Sequence, residues 1–516
     1  MSNDLSRRQA LLGGIVTAAG VLGVPWSRVA YAAHDQLVVR TEQDLRNLDP
    51  ANRSSPVDAN VILAVGQGLV RFKPGSTDWA PDAAAEIKQV SDTLIEFSLK
   101  PSLKFTGGYG DVTANDVKFS FERFIKPGPD GKKVTYAADW SALDNVEVTG
   151  PLTGKIHLKT PAPALWVIAL ADASGVIISQ KAFEALGAKF GTTAIGSGPY
   201  MLKEWLPRDH YTLVANPDFA GPAPHFKTIV CRPITEDKTA ELAFRAGELA
   251  FTRIDPAVAS SLAGLPDSKT IQMNAIDYIW IGPNMEKKPF DDLRVRQALR
   301  LGIDIDAILA AAYNGKAGPA RALEAPGILG HWADAPVYKR DVAAAKALLA
   351  QAGLGGGFKT TLTVLNTAVA QTTAAVVQAN LADLGIEVQI AALDPGAYWA
   401  YGDKDASKAL ELVLVEYKGK FDPGFQTQWF TSDQIGKWNW QRFHSPEFDA
   451  LTAKAAVTTD TKVRGQMYID AQKLMDQSAA FVWITHNAYS FADRSWLAPA
   501  ILPNGNQWQY AAFTEA

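Results

Sequence analysis

The residues best suited to handling a small polar molecule crowd the last third of this 516-residue chain. Tyr398, Trp399, Tyr401, Tyr417, Trp429, Phe430, Trp438, Trp440 and Phe443 all fall there. Aromatic faces stack on the flat or apolar parts of a ligand, and a few fixed polar groups then orient it. The run Lys437-Trp438-Asn439-Trp440-Gln441-Arg442 interleaves two indoles with polar side chains and shows no obvious helix or strand caps. Trp438 and Trp440 fit ligand contact and core packing alike, and the sequence leaves both open. Lys418, Lys420 and Asp422 add charge upstream. The candidate binding wall is Tyr398, Trp399, Tyr417, Lys418, Lys420, Asp422, Trp438, Asn439, Trp440 and Arg442.

Catalytic signatures are largely missing. The chain contains no H-E-x-x-H, G-x-S-x-G or P-loop pattern. Ile195-Gly196-Ser197-Gly198-Pro199-Tyr200 is glycine-rich but has no helix-forming run behind it, so it reads as a backbone turn. Gly353 to Gly357 precedes a strand, whereas a phosphate loop follows one, so it reads as a helix exit. None of the seven histidines is four residues from another, so no local metal motif exists. Neither a metal nor a cofactor is expected. Glu416 with Asp422 leaves one rival reading, an exported carboxylate-dependent hydrolase, although nothing in the sequence places the pair across a substrate.

These groups need a scaffold, and the third quarter supplies one. Lys359 to Leu365 reads as a strand, Thr367 as the cap of a helix running to about Leu384, and Ile386 to Ala391 as the next strand. Strand, helix, strand with short joints predicts a parallel pair. Ala409 to Tyr417 reads as a buried strand of the same sheet. In open parallel sheets ligands lie beyond the carboxyl ends of the strands. Those ends are Asn366-Thr367, Leu393 to Trp399, and Lys418 to Asp422. Earlier in the chain, Ile95, Phe97 and Leu99 alternate with polar positions. Thr113-Ala114-Asn115-Asp116 then resembles a capping box ahead of a helix whose apolar stripe is Val117, Phe121, Phe124 and Ile125. Lys126 to Gly131 ends that helix.

Arg7 and Arg8 precede an uncharged run from Gln9 to Ser27, and Ala30, Ala32 and Ala33 follow. This is the pattern of an export signal, with the paired arginines of the twin-arginine route and cleavage near Ala32. The usual aromatic residue after the pair is replaced by Ala10, which leaves the Sec route open. The apolar run is shorter than the ~20 residues that span a bilayer. A formal charge of −4 without a basic block argues against nucleic acid or anionic membrane as the main partner. Cys231 is the only cysteine, so internal disulfides and thiolate metal sites are excluded. A chain of this length normally divides into domains.

Several tracts, in order, resemble the family 5 extracellular solute-binding proteins of bacterial ABC importers, the peptide, opine and nickel group. They are Leu48-Asp49-Pro50, Gly68-Leu69-Val70, Leu103-Lys104-Phe105 leading to Thr113 through Ser120, Gly196 through Tyr200, Ala215 through Phe219, and Phe290 through Leu299. The resemblance implies an α/β, two-lobed periplasmic binding protein fold of type II with three domains and a ligand cleft between the lobes. It implies a first lobe from segments 33–80, 195–288 and 490–516, an inserted subdomain at 81–194 and a second lobe at 289–489, after a signal at 1–32. It implies no enzyme but a periplasmic monomer that captures a small polar solute and delivers it to a membrane permease. Peptide or nickel-chelate carriage is the alternative within the class, and a sensor or chaperone role is a further one. In peptide-binding relatives an Asp three residues before an acidic-Pro pair meets the peptide ammonium. Here the pair is Asp422-Pro423 and that position is Gly419, between Lys418 and Lys420. A buried ammonium would be disfavoured beside two lysines, which favours an anionic or polyhydroxyl solute unless both lysines turn to solvent.

Overall fold

Ile95, Phe97 and Leu99 point into the core from the strand Leu94–Leu99, as their alternation requires. A computed structural model describes residues 35–128 and 131–516. The expected export signal and part of the Lys126 to Gly131 helix stop therefore lie outside the described residues. The strand Leu94–Leu99 belongs to a four-stranded antiparallel sheet whose order is Ala84–Ser91, Leu94–Leu99, Thr153–Leu158, Leu143–Gly150. The helix Ala114–Glu122 packs on it. Its capping box is formed, with Asp116 accepting from both the Thr113 amide and its hydroxyl. Val117, Phe121 and Phe124 are buried from that helix and the turn after it.

The first lobe is built on a seven-stranded sheet. Its order is Tyr200–Leu206, His210–Ala215, Thr228–Pro233, Gln36–Thr41, Phe251–Ile254, Ala488–Arg494, Ser268–Asn274. Cys231 sits in the third of these strands, fully buried, and its thiol points at the Tyr510 hydroxyl 3.8 Å away. Burial pushes that thiol up to about 12. The glycine-rich turn has a packing role. A Cβ on Gly196 would sit 2.0 Å from the Val65 carbonyl oxygen, so two backbones meet there.

The second lobe holds a five-stranded sheet in the order Glu387–Leu393, Lys359–Leu365, Leu412–Tyr417, Tyr278–Pro283, Val482–Thr485. The first three strands run parallel. Thr367 caps the intervening helix Ala368–Ala382 by accepting from the Ala370 amide. Leu362, Val364, Val377 and Leu381 fill the core between helix and sheet. The strand Tyr278–Pro283 lies in this sheet, so the chain enters the second lobe ahead of the expected Pro289. All six of its residues are buried, so no alternation marks it in the sequence. The return also comes early, because Ala488–Arg494 is already in the seven-stranded sheet. Among the described residues no helix is long and apolar enough to cross a membrane.

Candidate inter-lobe binding site

Two short crossings join the lobes. The strands Ser268–Asn274 and Ala488–Arg494 pair in the first lobe, and Tyr278–Pro283 and Val482–Thr485 pair in the second. Residues 275–277 and 486–487 connect them. The crossings are laced together: Ala275 donates its amide to the Asn487 carbonyl at 3.2 Å, and the His486 ring contacts the Asp277 carbonyl at 3.0 Å. Burial holds the His486 pKa down at about 4, so the ring is neutral. Two hydrogen-bonded crossings side by side have the geometry of a hinge rather than of a sliding contact.

Asp277 is the hub of this hinge. Its Oδ2 accepts from the Tyr489 hydroxyl at 2.7 Å, from Lys418 at 2.8 Å and from Asn487 at 3.3 Å. Burial works against the charge on Lys418, but Asp277 and Glu416 more than offset it and hold that pKa above the usual lysine range. Arg253 from the first lobe lies over the Tyr489 ring at 3.6 Å.

From Lys418 the chain runs through the contact between the lobes, and each residue meets a different partner. Gly419 presses on the first crossing: a Cβ there would stand 2.0 Å from the Ile276 carbonyl oxygen. No side chain, and so no carboxylate, fits at this position. Lys420 reaches Asp139 of the inserted subdomain at 2.6 Å and lies over the Phe425 ring at 4.8 Å. Burial raises the Asp139 pKa, and Lys420 restrains the rise. Phe421 meets Phe72 of the first lobe edge-on at 5.0 Å. Asp422 caps the helix Pro423–Thr427 and is bound through both oxygens by Arg464 at 2.7 Å.

The expected wall divides into two layers at the carboxyl ends of the parallel strands. Trp399 and Trp438 form the outer layer, with Tyr417 buried between them. The two indoles are about two-fifths exposed, at 37% and 42%. Trp399 stacks beside Tyr417 with centroids 6.2 Å apart, and Trp438 meets Tyr417 edge-on at 5.8 Å. Trp429 and Phe425 extend this layer toward Lys420. Tyr398, Asn439, Trp440 and Arg442 lie behind it, buried and engaged with protein groups. The Tyr398 hydroxyl donates to the Leu414 carbonyl, and the Trp440 indole N–H to the Lys437 carbonyl. Asn439 ties the Phe430, Thr431 and Phe443 carbonyls. Arg442 bridges Glu286 and Asp405.

A groove of about 760 Å³ opens on the seam between the lobes. Trp79 and Trp166, stacked at 4.4 Å, line one side, and Phe421, Asp422 and Arg464 line the other. Thr459 donates to Asp92 across it at 3.0 Å. No group of three or more His, Cys, Asp or Glu among the described residues could hold a metal ion. Sequence reasoning missed Asp139, Asp277 and Tyr489. Their only signal was an isolated polar residue beside an apolar run.

The family model of the bacterial extracellular solute-binding proteins, family 5 Middle, matches residues 78–437. The glutathione-binding protein GsiB of Pectobacterium atrosepticum is 28% identical over 499 residues, covering 94% of this chain and 94% of its own. HbpA2 of Haemophilus parasuis has a similar structure, with a TM-score of 0.85 at 22% identity over 93% of this chain and 100% of that one. The periplasmic binding protein DppA of Helicobacter pylori, in complex with the peptide STSA, gives a TM-score of 0.74 at 25% identity over 93% and 98%. Two lobes on a laced double hinge fit this match across most of the chain: the protein belongs to the bacterial extracellular solute-binding proteins of family 5, the solute-capturing components of ABC importers.

Proposed function

We propose that the protein captures a small polar solute between its lobes in the periplasm, as a monomer, and passes it to a membrane permease. The observation that carries this reading is the loop 418–422. It touches the hinge, the inserted subdomain and the first lobe in five consecutive residues, while the outer indoles at the same strand ends stay partly exposed. Contacts made to both lobes at once favour the joined state over the separated one. Trp399 and Trp438 would stack on the solute with Tyr417 packed between them, while Lys418 and Lys420, already paired with Asp277, Glu416 and Asp139, would offer it no free positive charge. The packing at Gly419 disfavours a peptide held by its ammonium at that position. The rival hydrolase reading loses support because Asp422 is bound by Arg464 and Glu416 by Lys418.

The test is native mass spectrometry of protein taken from its own periplasm, followed by a thermal-shift panel. The panel would hold glutathione, di- and tetrapeptides, sugar–amino acid conjugates and nickel with histidine. A true ligand at about a hundred times its Kd should add ~2.7 kcal/mol of stability. A tight response to free-ammonium dipeptides alone would overturn the argument from Gly419. We further infer that residues 1–32 direct export. N-terminal sequencing of the exported protein should read a start near Ala33, and retention of the segment would refute this.

A further inference from the structure

We propose that Glu324 is a positioning residue that works as a neutral acid: it pairs with Gln426 in a two-bond ring and thereby holds the loop 418–422 where it joins the lobes. Both side chains are buried, each 1% exposed. The Gln426 amide donates to Glu324 Oε2 at 3.1 Å and to the Lys420 carbonyl at 2.9 Å. That leaves Glu324 Oε1 and Gln426 Oε1 buried with no hydrogen-bond partner. Buried polar groups in folded proteins are rarely left so. Two acceptors cannot satisfy each other, but a carboxylic acid can: its O–H donates to Gln426 Oε1 while Oε2 receives the amide N–H. One proton on Glu324 would give both orphaned oxygens a partner.

The surroundings agree. Asp422 and Arg464 face Glu324 as an already matched pair. The Tyr278 and Tyr468 hydroxyls stand nearby, and Gln472 accepts the Glu324 backbone N–H at 2.9 Å. The His331 ring contacts the Glu324 carbonyl at 2.7 Å. Burial, with the charge of Asp422 beside it, pushes the Glu324 carboxyl well above the usual carboxylate range. The residues just beyond, Ala325 and Ile328, pack with Phe421 into the core of the inserted subdomain. Glu324 thus reads out at the seam: through Gln426 it fixes the carbonyl of the residue whose ammonium holds Asp139.

The sign follows from the raised pKa. On this proposal joining the lobes completes the burial of Glu324 and raises its pKa above the separated value, so the contribution to joining is full below the separated value and is lost as the pH rises through the joined one, when a buried charge appears beside Asp422. This inference rests on the reading of lobes that join and part, but its test adds no solute, so a failed solute assignment leaves it standing. Infrared difference spectra of the wild type against Glu324→Gln at neutral pH should show a protonated carboxylic-acid carbonyl band in the wild type alone. Small-angle scattering across a pH series carried to the alkaline limit of folding should show the wild type expanding as its acid band is lost, the joined-to-separated ratio falling up to about tenfold per pH unit. Glu324→Gln should stay joined throughout, because its amide N–H replaces the acid O–H. Glu324→Ala, which removes the ring and leaves Gln426 held by its bond to the Lys420 carbonyl alone, should be expanded at every pH. An absent acid band, a Glu324→Gln profile that follows the wild type, or a Glu324→Ala protein as joined as the wild type would each overturn the inference.

Discussion

Trp438 and Trp440 stand two residues apart and face opposite surroundings. Trp438 is 42% exposed in the outer aromatic layer, whereas Trp440 is 1% exposed and packs edge-on against Tyr398. Trp438→Ala should cost ~1–3 kcal/mol of binding to the solute found by the panel and less than ~1 kcal/mol of stability. Trp440→Ala should cost ~3–5 kcal/mol of stability, because a large buried side chain leaves a cavity. Melting curves and ligand titration on the two variants check this, and a stable Trp440→Ala protein with weakened binding would reverse the assignment. At this scale the sequence was half legible. It showed that aromatic and charged groups gather after residue 397, because type and density are visible. It could not show which indole is inside, since two positions apart in an irregular loop carry no periodicity. Nor could it show that Lys418 and Lys420 are neutralised, because their partners Asp277 and Asp139 come from 141 and 281 residues away.

At the scale of elements, the strand Ala488–Arg494 carries a cost that pH should reveal. Asp493 is fully buried in it, and its carboxylate has a long ion pair at 3.6 Å with Lys269 on the neighbouring strand and no closer partner among the described residues. Burial raises its pKa from 3.8 to about 7, although Lys269 opposes the shift. A raised acid pKa means that its contribution to stability is present below the unfolded value and is lost as the pH climbs toward the folded one. Resistance to urea should therefore fall between about pH 4 and about pH 7, and Asp493→Asn should flatten that slope and add ~1–3 kcal/mol above it. An unchanged slope in the variant would show that another group carries it. Elements with an amphipathic face were legible: the strand Leu94–Leu99, the helix Ala114–Glu122 and the parallel pair around Ala368–Ala382 match their sequence patterns. Tyr278–Pro283 was not, because a strand buried on both faces alternates nothing.

For the whole molecule, the proposed joining of the lobes would lean on contacts across the seam. Lys420 with Asp139 is one, and it is only partly shielded from water. Lys420→Ala should weaken the joined state by ~1 kcal/mol, about fivefold, and raise the radius of gyration measured by small-angle scattering without solute. An unchanged radius would mean that Phe421 on Phe72 suffices. The two-lobe architecture was legible from ordered tracts spread along the chain, but the seam was not. Its partners are brought together only when three chain segments fold back on one another, and no local pattern encodes that return.

The single buried cysteine makes the protein ready for distance measurement. With its thiol pushed up to about 12 beneath Tyr510, Cys231 stays silent to maleimide dyes while the fold is intact. Val90 on the inserted subdomain and Val463 on the second lobe are 48% and 46% exposed, close to the Asp92–Thr459 contact. A Val90→Cys, Val463→Cys protein would accept a donor and an acceptor fluorophore without removing any native residue chemistry from the seam. Energy transfer in single molecules would then test in real time the proposed opening and shutting of the lobes, with or without added solute.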